Sequence, residues 1–248
     1  MGKKERQKKG QAQTRSNQKS DRDRQVQRLM TYVGLAAVAM ILVVVGLFVM
    51  DDFGSVVTGD AELSTEGQPT LGAADAPVEI VEFADFKCPA CAVFNRDIFP
   101  QVKSNYIDTG QARFSFLNFP LPIGQDSWTA ANAVECVYHD IGNQAFWDYY
   151  HALFASQGPE RQTWATPDLL VQIAEDYIDE PVDTAELRRC IVNERYRDAA
   201  EHDRRMGANA EIPGTPTVFV NGQKLRDFRY STIAGAVDRA LEQANSAE

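Results

Sequence analysis

The stretch "VEIVEFADFKCPAC", residues 78–91, runs from an apolar alternation straight into two cysteines two residues apart. Val78, Ile80, Val81 and Phe83 predict a buried strand over "PVEIVEFAD", residues 77–85. Pro89 suits the first turn of a helix, where a missing N–H is harmless. A helix is therefore expected from Cys88 through "ACAVFNRDIFPQVKSNY", residues 90–106, with Pro100 expected to kink or break it. A C-x-x-C pair can bind a metal, form a static disulfide or shuttle electrons, and its surroundings must decide among these.

Compartment comes first. Residues 1–30 hold ten Lys and Arg against three acidic residues, leaving 15 basic and 32 acidic residues of the chain's 25 and 35 for the remainder. An acidic body argues against nucleic acid as a partner, since that needs a basic face. Between the two parts lies "TYVGLAAVAMILVVVGLFVM", residues 31–50, without a charge. At about 1.5 Å per residue it reaches roughly 30 Å, the thickness of a bilayer core. The leader is too long for a signal-peptide n-region and the apolar run too long for its h-region, so a single uncleaved transmembrane anchor is expected. The basic excess before it puts residues 1–30 in the cytoplasm and residues 51–248 outside. All four cysteines, Cys88, Cys91, Cys136 and Cys190, then lie where disulfides form and persist.

Residues 51–70 read as a linker and 71–248 as one α/β domain. "ARFSFLNFPL", residues 112–121, predicts a second strand. A helical insertion follows over about 125–207: "SWTAANAVECVYHDI", then "QAFWDYYHALFA", then a helix capped by Thr166 with Pro167 in its first turn, then "DTAELRRCIVNERYRDAAEHDRRMG" capped by Asp183. The aromatics of "FWDYYHALF" are expected to pack the core of this block. Strand signals return in "TPTVFVNGQKLRDF", whose Asn221-Gly222 is a strong hairpin signal, and a helix from Ser231 closes the chain.

A zinc site needs about four ligands in spaced pairs. Cys136 and His139 would complete one on paper, but the gap of about 45 residues is long and "CVYH" reads more simply as a helix segment. Catalysis explains more. At the helix N-terminus, unpaired N–H groups favour an anion, so Cys88 is the expected nucleophilic thiolate, with Cys91, one turn in, as the resolving thiol. Lys87, beside Cys88, either favours the thiolate or is an ordinary surface lysine. Glu82, six residues before Cys88, is expected to point beneath the helix and relay the proton of Cys91. The alternative is a charged residue on the solvent face of an edge strand. Local sequence leaves Thr215–Pro216 trans by base rate. Cys136 and Cys190 fall in separate inserted helices and are expected to form a structural disulfide; two buried free thiols or a second redox relay are the alternatives. No Gly-rich phosphate loop and no Ser-His-Asp order stand out.

"VEIVEFADFKCPAC", the later "GTPTVFVNG" and the helices between them resemble the DsbA-like branch of the thioredoxin superfamily over about residues 66–245. The resemblance implies a thioredoxin fold with an inserted helical domain, disulfide exchange at Cys88 and Cys91, a buried acid at Glu82, and a cis bond at Pro216 after Thr215, beside which substrate pairs by backbone hydrogen bonds. It implies no cofactor beyond the redox-active disulfide. Its partners would be reduced or unfolded exported proteins and a membrane quinone-linked reoxidant. The best-known members often carry Pro-His between the cysteines; Pro89-Ala90 lacks that histidine, so a milder oxidant is expected. A dithiol oxidase is the leading reading. A reductase or isomerase on the same fold and a membrane-tethered metal-binding module using the C-x-x-C are the alternatives.

Overall fold

The computed structural model describes residues 63–246, the backbone of a strand at Val56–Asp60, and residues 30 and 40. The expected leader and the apolar run 31–50 otherwise lie outside the described residues. Among the described residues no helix is long and apolar enough to cross a membrane.

Six strands form one sheet in the order β1-β6-β5-β3-β4-β2. They are β1 (Val56–Asp60), β2 (Thr70–Leu71), β3 (Val78–Ala84), β4 (Ala112–Asn118), β5 (Thr217–Val220) and β6 (Gln223–Leu225). β3 is central, parallel to β4 and antiparallel to β5. Both its faces are covered, which is why its sequence is apolar almost throughout. Val81 and Phe83 pack with Leu117, Phe119 and Phe219 on one side. Val78, Ile80 and Ala84 join the larger core on the other. The expected linker 51–70 holds a strand instead: β1 pairs antiparallel with β6, and the backbone groups of an otherwise open sheet edge are thereby satisfied. At Asn221 and Gly222 the φ angles are 46° and 77°, so both central residues of the β5–β6 turn take the left-handed conformation that Asn-Gly supplies.

The helical stretch after β3 does not break at Pro100. Short α-helices α1 (Pro89–Val93) and α2 (Phe99–Val102) alternate with π-helical turns at Phe94–Ile98 and Lys103–Ile107. Pro100 sits in the first turn of α2, just after the first widened turn, in which Phe99 N–H bonds to the Phe94 carbonyl. The wider turn absorbs the missing donor and the ring, so the helix continues.

The insertion contains α3 (Gln125–Asp140), α4 (Asn143–Ala155), α5 (Pro167–Tyr177), α6 (Thr184–Val192) and α7 (Arg197–Asn209). Thr166 and Asp183 cap α5 and α6 through their side chains. One long helix was expected over 183–207, but it divides at residues 193–196, where Glu194 has φ 48°. The reason is tertiary. Buried Asn132 on α3 donates to the carbonyls of Cys190 and Ile191 and accepts from Tyr196 N–H at 3.0 Å. It thus serves the end of α6 and the approach to α7 together. Helix α8 (Tyr230–Ser246) returns to pack on β3 and β5.

Candidate active site

The end of central strand β3 delivers the chain into the turn that carries the cysteines. Asp85 builds this turn: its Oδ1 accepts from Lys87 N–H at 2.8 Å, and its Oδ2 accepts from Leu121 N–H at 2.8 Å and from the Ser127 hydroxyl. Lys87 does not face the thiols. It is buried, with Nζ 2.7 Å from Asp126 Oδ1 at the start of α3 and 3.2 Å from the Ile123 carbonyl. Its charge serves the joint between sheet and insertion, which overturns both readings of it as a thiolate partner and as a surface lysine.

Cys88 is the N-cap of α1, in an extended conformation with Pro89 in the first helical turn. Its carbonyl accepts from Cys91 N–H at 3.1 Å and Ala92 N–H at 3.3 Å. Gln157, just past α4, donates from Nε2 to the carbonyls of Phe86 at 2.7 Å and Cys88 at 3.0 Å. Cys88 retains 6% exposure and Cys91 none. On the far side Thr215–Pro216 is cis, and the Cys88 thiol donates to the Thr215 carbonyl at 3.2 Å. Residues 127 apart in sequence thus meet at one sulfur.

The two thiols differ in acidity. Cys88 is lowered to about 6, chiefly by a hydrogen bond from the Cys91 thiol, against an opposing effect of burial; the N–H groups of Cys91 and Ala90 add to the lowering. Cys91 is raised well above the ordinary thiol range by burial, by its bond to Cys88, and by the charges of Cys88 and Glu82. Glu82 lies on the central strand rather than an edge, with no exposed surface. Burial pushes its carboxyl up to about 8, with the Tyr150 hydroxyl pulling down and the Cys88 charge pushing up. Tyr150 Oη donates to Glu82 Oε2 at 2.6 Å, while Oε1 has no hydrogen-bond partner among the described residues.

Tyr150 and Gln157 were missed in the sequence. Tyr150 was one aromatic among several, read as core, which its burial is; the signal overlooked was that a buried phenol needs a polar partner. Nothing local marks Gln157. Cys136 on α3 and Cys190 on α6 are joined by a disulfide, S–S 2.01 Å, and are separate from the Cys88–Cys91 turn in the chain. Among the described residues no group of three or more His, Cys, Asp or Glu side chains is placed to hold a metal ion.

Comparison with known proteins places this geometry. The thioredoxin family profile matches residues 64–239. The chain is 37% identical over 180 residues to disulfide bond formation protein D of Bacillus subtilis, spanning 72% of this chain and 79% of that protein. It is 31% identical over 185 residues to the probable disulfide bond formation protein D of Bacillus anthracis, spanning 75% and 83%. The crystal structure of oxidised BdbD from Bacillus subtilis matches with a TM-score of 0.70 at 36% identity, over 76% of this chain and 100% of that one. Chlamydia trachomatis DsbA matches with a TM-score of 0.65 at 25% identity, over 77% and 98%. Matched over about three quarters of its length by proteins of this kind, the chain belongs to the DsbA-like branch of the thioredoxin superfamily and is a protein thiol–disulfide oxidoreductase.

Proposed function

We propose that this protein is an extracytoplasmic dithiol oxidase, held at the cell membrane by residues 31–50, that introduces disulfides into exported proteins through Cys88 and Cys91. The observation that carries the direction is the asymmetry of the two thiols. A Cys88 thiolate stabilised to about 6 favours the reduced pair, so the disulfide is a willing electron acceptor. A low-pKa sulfur is also the better leaving group.

A substrate thiolate attacks Cys88 Sγ and breaks the Cys88–Cys91 bond. Cys91 leaves as a thiolate and takes the proton of Glu82, which burial keeps protonated at neutral pH. A second substrate thiolate attacks its own mixed-disulfide sulfur and expels Cys88 as a thiolate. The substrate has lost two electrons and the cysteine pair has gained them. The backbone at Thr215, beside Cys88, is the edge against which an extended substrate segment pairs. A membrane quinone-linked partner then reoxidises the pair, as the family implies. Relatives named for disulfide bond formation support this direction, and the charge step from the basic leader to the acidic body supports the topology.

The test is the reduction potential of Cys88–Cys91 in the intact chain, equilibrated against glutathione. The expected value lies well above thioredoxin's, about −270 mV. A value at or below that reverses the direction and makes the protein a reductase. Alkaline extraction of membranes, which strips peripheral proteins, is expected to leave the chain in the pellet; release into the supernatant removes the anchor.

A further inference from the structure

Glu82 carries two oxygens, and the fold treats them differently. Oε2 accepts from the Tyr150 hydroxyl at 2.6 Å, while Oε1 is buried and has no hydrogen-bond partner among the described residues. In the sheet, the register partners of Glu82 are Phe116 on β4 and Val218 on β5, so the strand residues beside it are both apolar. Tyr150 is wholly buried on α4. Its ring is packed by Phe86, Phe116 and Phe154, with centroids 6.1, 5.2 and 5.1 Å away, which holds the hydroxyl on one line. A phenol has one proton to give, and here it goes to Oε2.

A neutral carboxyl group has one carbonyl oxygen and one hydroxyl oxygen. The oxygen that accepts from the phenol acts as the carbonyl, and the proton belongs on the other. We propose that Tyr150 is a positioning residue for Glu82: by holding Oε2 as an acceptor it places the carboxyl proton on Oε1, the oxygen left free to give it to the departing Cys91 sulfur. This role rests on the reading of Glu82 as the proton donor to Cys91. In the step itself Cys91 Sγ, released as a thiolate, gains the proton and Oε1 loses it. The negative charge comes to rest on a carboxylate whose Oε2 is already bonded. The Tyr150 bond strengthens at that moment, because a hydrogen bond to an ionised acceptor is roughly twice as strong as one to a neutral acceptor. The opposite arrangement has Oε2 donating to the phenol oxygen. It would turn the tyrosine proton towards the surrounding rings and still leave Oε1 alone, two buried groups unsatisfied instead of one.

The titratable groups around the pair keep these roles distinct. Cys88 and Cys91 face Glu82 from the redox turn; the Cys88 charge pushes Glu82 up, and Glu82 in turn pushes Cys91 up. Burial and the Glu82 charge raise Tyr150 well above the ordinary phenol range, so it stays a donor and is not itself the acid. The His151 ring packs 5.1 Å from that of Tyr150, and burial pulls it below the ordinary histidine range, which favours its neutral form.

The experiment uses the intact chain in four forms: wild type, Glu82→Gln, Tyr150→Phe and Tyr149→Phe. Tyr149→Phe is the packing control, since it removes the neighbouring buried hydroxyl of α4, whose partner is the Leu170 carbonyl at 2.8 Å. The first readout is single-turnover oxidation of a dithiol peptide by the oxidised protein across pH. The wild type is expected to lose rate as Glu82 ionises near pH 8, and Glu82→Gln to lack that limb. In Tyr150→Phe the carboxylate loses its donor, and the limb is expected to move up by about one pH unit. The rate below the limb is expected to fall about threefold, since a weaker acid gives its proton more slowly. Tyr149→Phe is expected to leave the limb in place. The second readout is the infrared carbonyl stretch of protonated Glu82, identified as the band absent from Glu82→Gln. It is expected to move to higher wavenumber in Tyr150→Phe and to stay put in Tyr149→Phe. A band unmoved in Tyr150→Phe puts the proton on Oε2 and overturns the proposal, as does a limb that Tyr149→Phe moves as far as Tyr150→Phe. A limb lost in Glu82→Gln but unmoved in Tyr150→Phe overturns the positioning role and leaves the Glu82 reading intact. A limb that survives Glu82→Gln overturns both.

Discussion

At Glu82 the fold sets a carboxyl group against its own solvation. One oxygen is held by Tyr150 and the other by nothing among the described residues, and the protonated form is the one the site prefers. This preference has a cost that shows in stability. The folded pKa, about 8, lies above the ordinary 4.5. The stabilising contribution is therefore complete below about 4.5 and is lost as pH rises towards 8, because the unfolded chain releases a proton that the folded chain keeps. Glu82→Gln is isosteric and cannot ionise. We expect it to stabilise the reduced protein by on the order of 2–3 kcal/mol at pH 7 and by nothing at pH 4. Urea denaturation at the two pH values checks this, and equal midpoints at pH 7 would show that the carboxyl is not held protonated. The same variant is expected to slow oxidation, so stability and activity move in opposite directions. That opposition marks a side chain kept for chemistry.

Among the elements, the divided helix at 183–207 shows where a neighbour overrules local preference. From Ala185 to Ala208 the residues are mostly good helix formers, and no proline or glycine interrupts them before Gly207. Asn132 interrupts them instead, donating to two of the last carbonyls of α6 and accepting from Tyr196 N–H, just before α7. Its side chain is 1% exposed. The Cys190 and Ile191 carbonyls also accept from Arg195 and Glu194 N–H, so Tyr196 N–H is the group that would be left without a partner in its absence. Asn132→Ala is expected to cost about 1–3 kcal/mol, measured as a lower midpoint in chemical denaturation with an unchanged slope. The segment from 89 to 107 makes the complementary point. Pro100 was a legible interruption, but two widened turns let the helix run past it. Widening also places Asn95 on the first π-helical turn, within reach of His151.

Across the whole molecule, the insertion and the sheet are joined at the redox turn from two sides. Asp85 and Lys87 bind the turn to the start of α3, and Gln157 binds it to the segment after α4. The insertion itself is closed by Cys136–Cys190, both fully buried and 54 residues apart. On the chain-entropy account a loop of that size stabilises by about 4 kcal/mol. The double variant Cys136→Ala, Cys190→Ala is expected to lose roughly 3–4 kcal/mol in denaturant unfolding while the Cys88–Cys91 potential stays unchanged. A shifted potential would mean that the second pair takes part in electron transfer rather than in structure.

What the sequence determined by itself was local. The alternation of 78–84, the Pro after Cys88, the caps at Thr166 and Asp183 and the Asn221-Gly222 turn each act over a few residues, so each can be read from a few residues. The strand at 56–60 could not be read this way, because it exists by pairing with β6, far along the chain. The site divides along the same line. Cys88 and Cys91 announce themselves by spacing and by the helix start. That Thr215 meets Cys88, that Lys87 turns away to Asp126, that Tyr150 meets Glu82 and that Asn95 meets His151 depends on contacts between residues 39 to 127 positions apart. Acidity at this site is set by burial and by hydrogen bonds across elements. Those are properties of the packed chain, and only tertiary structure decides them.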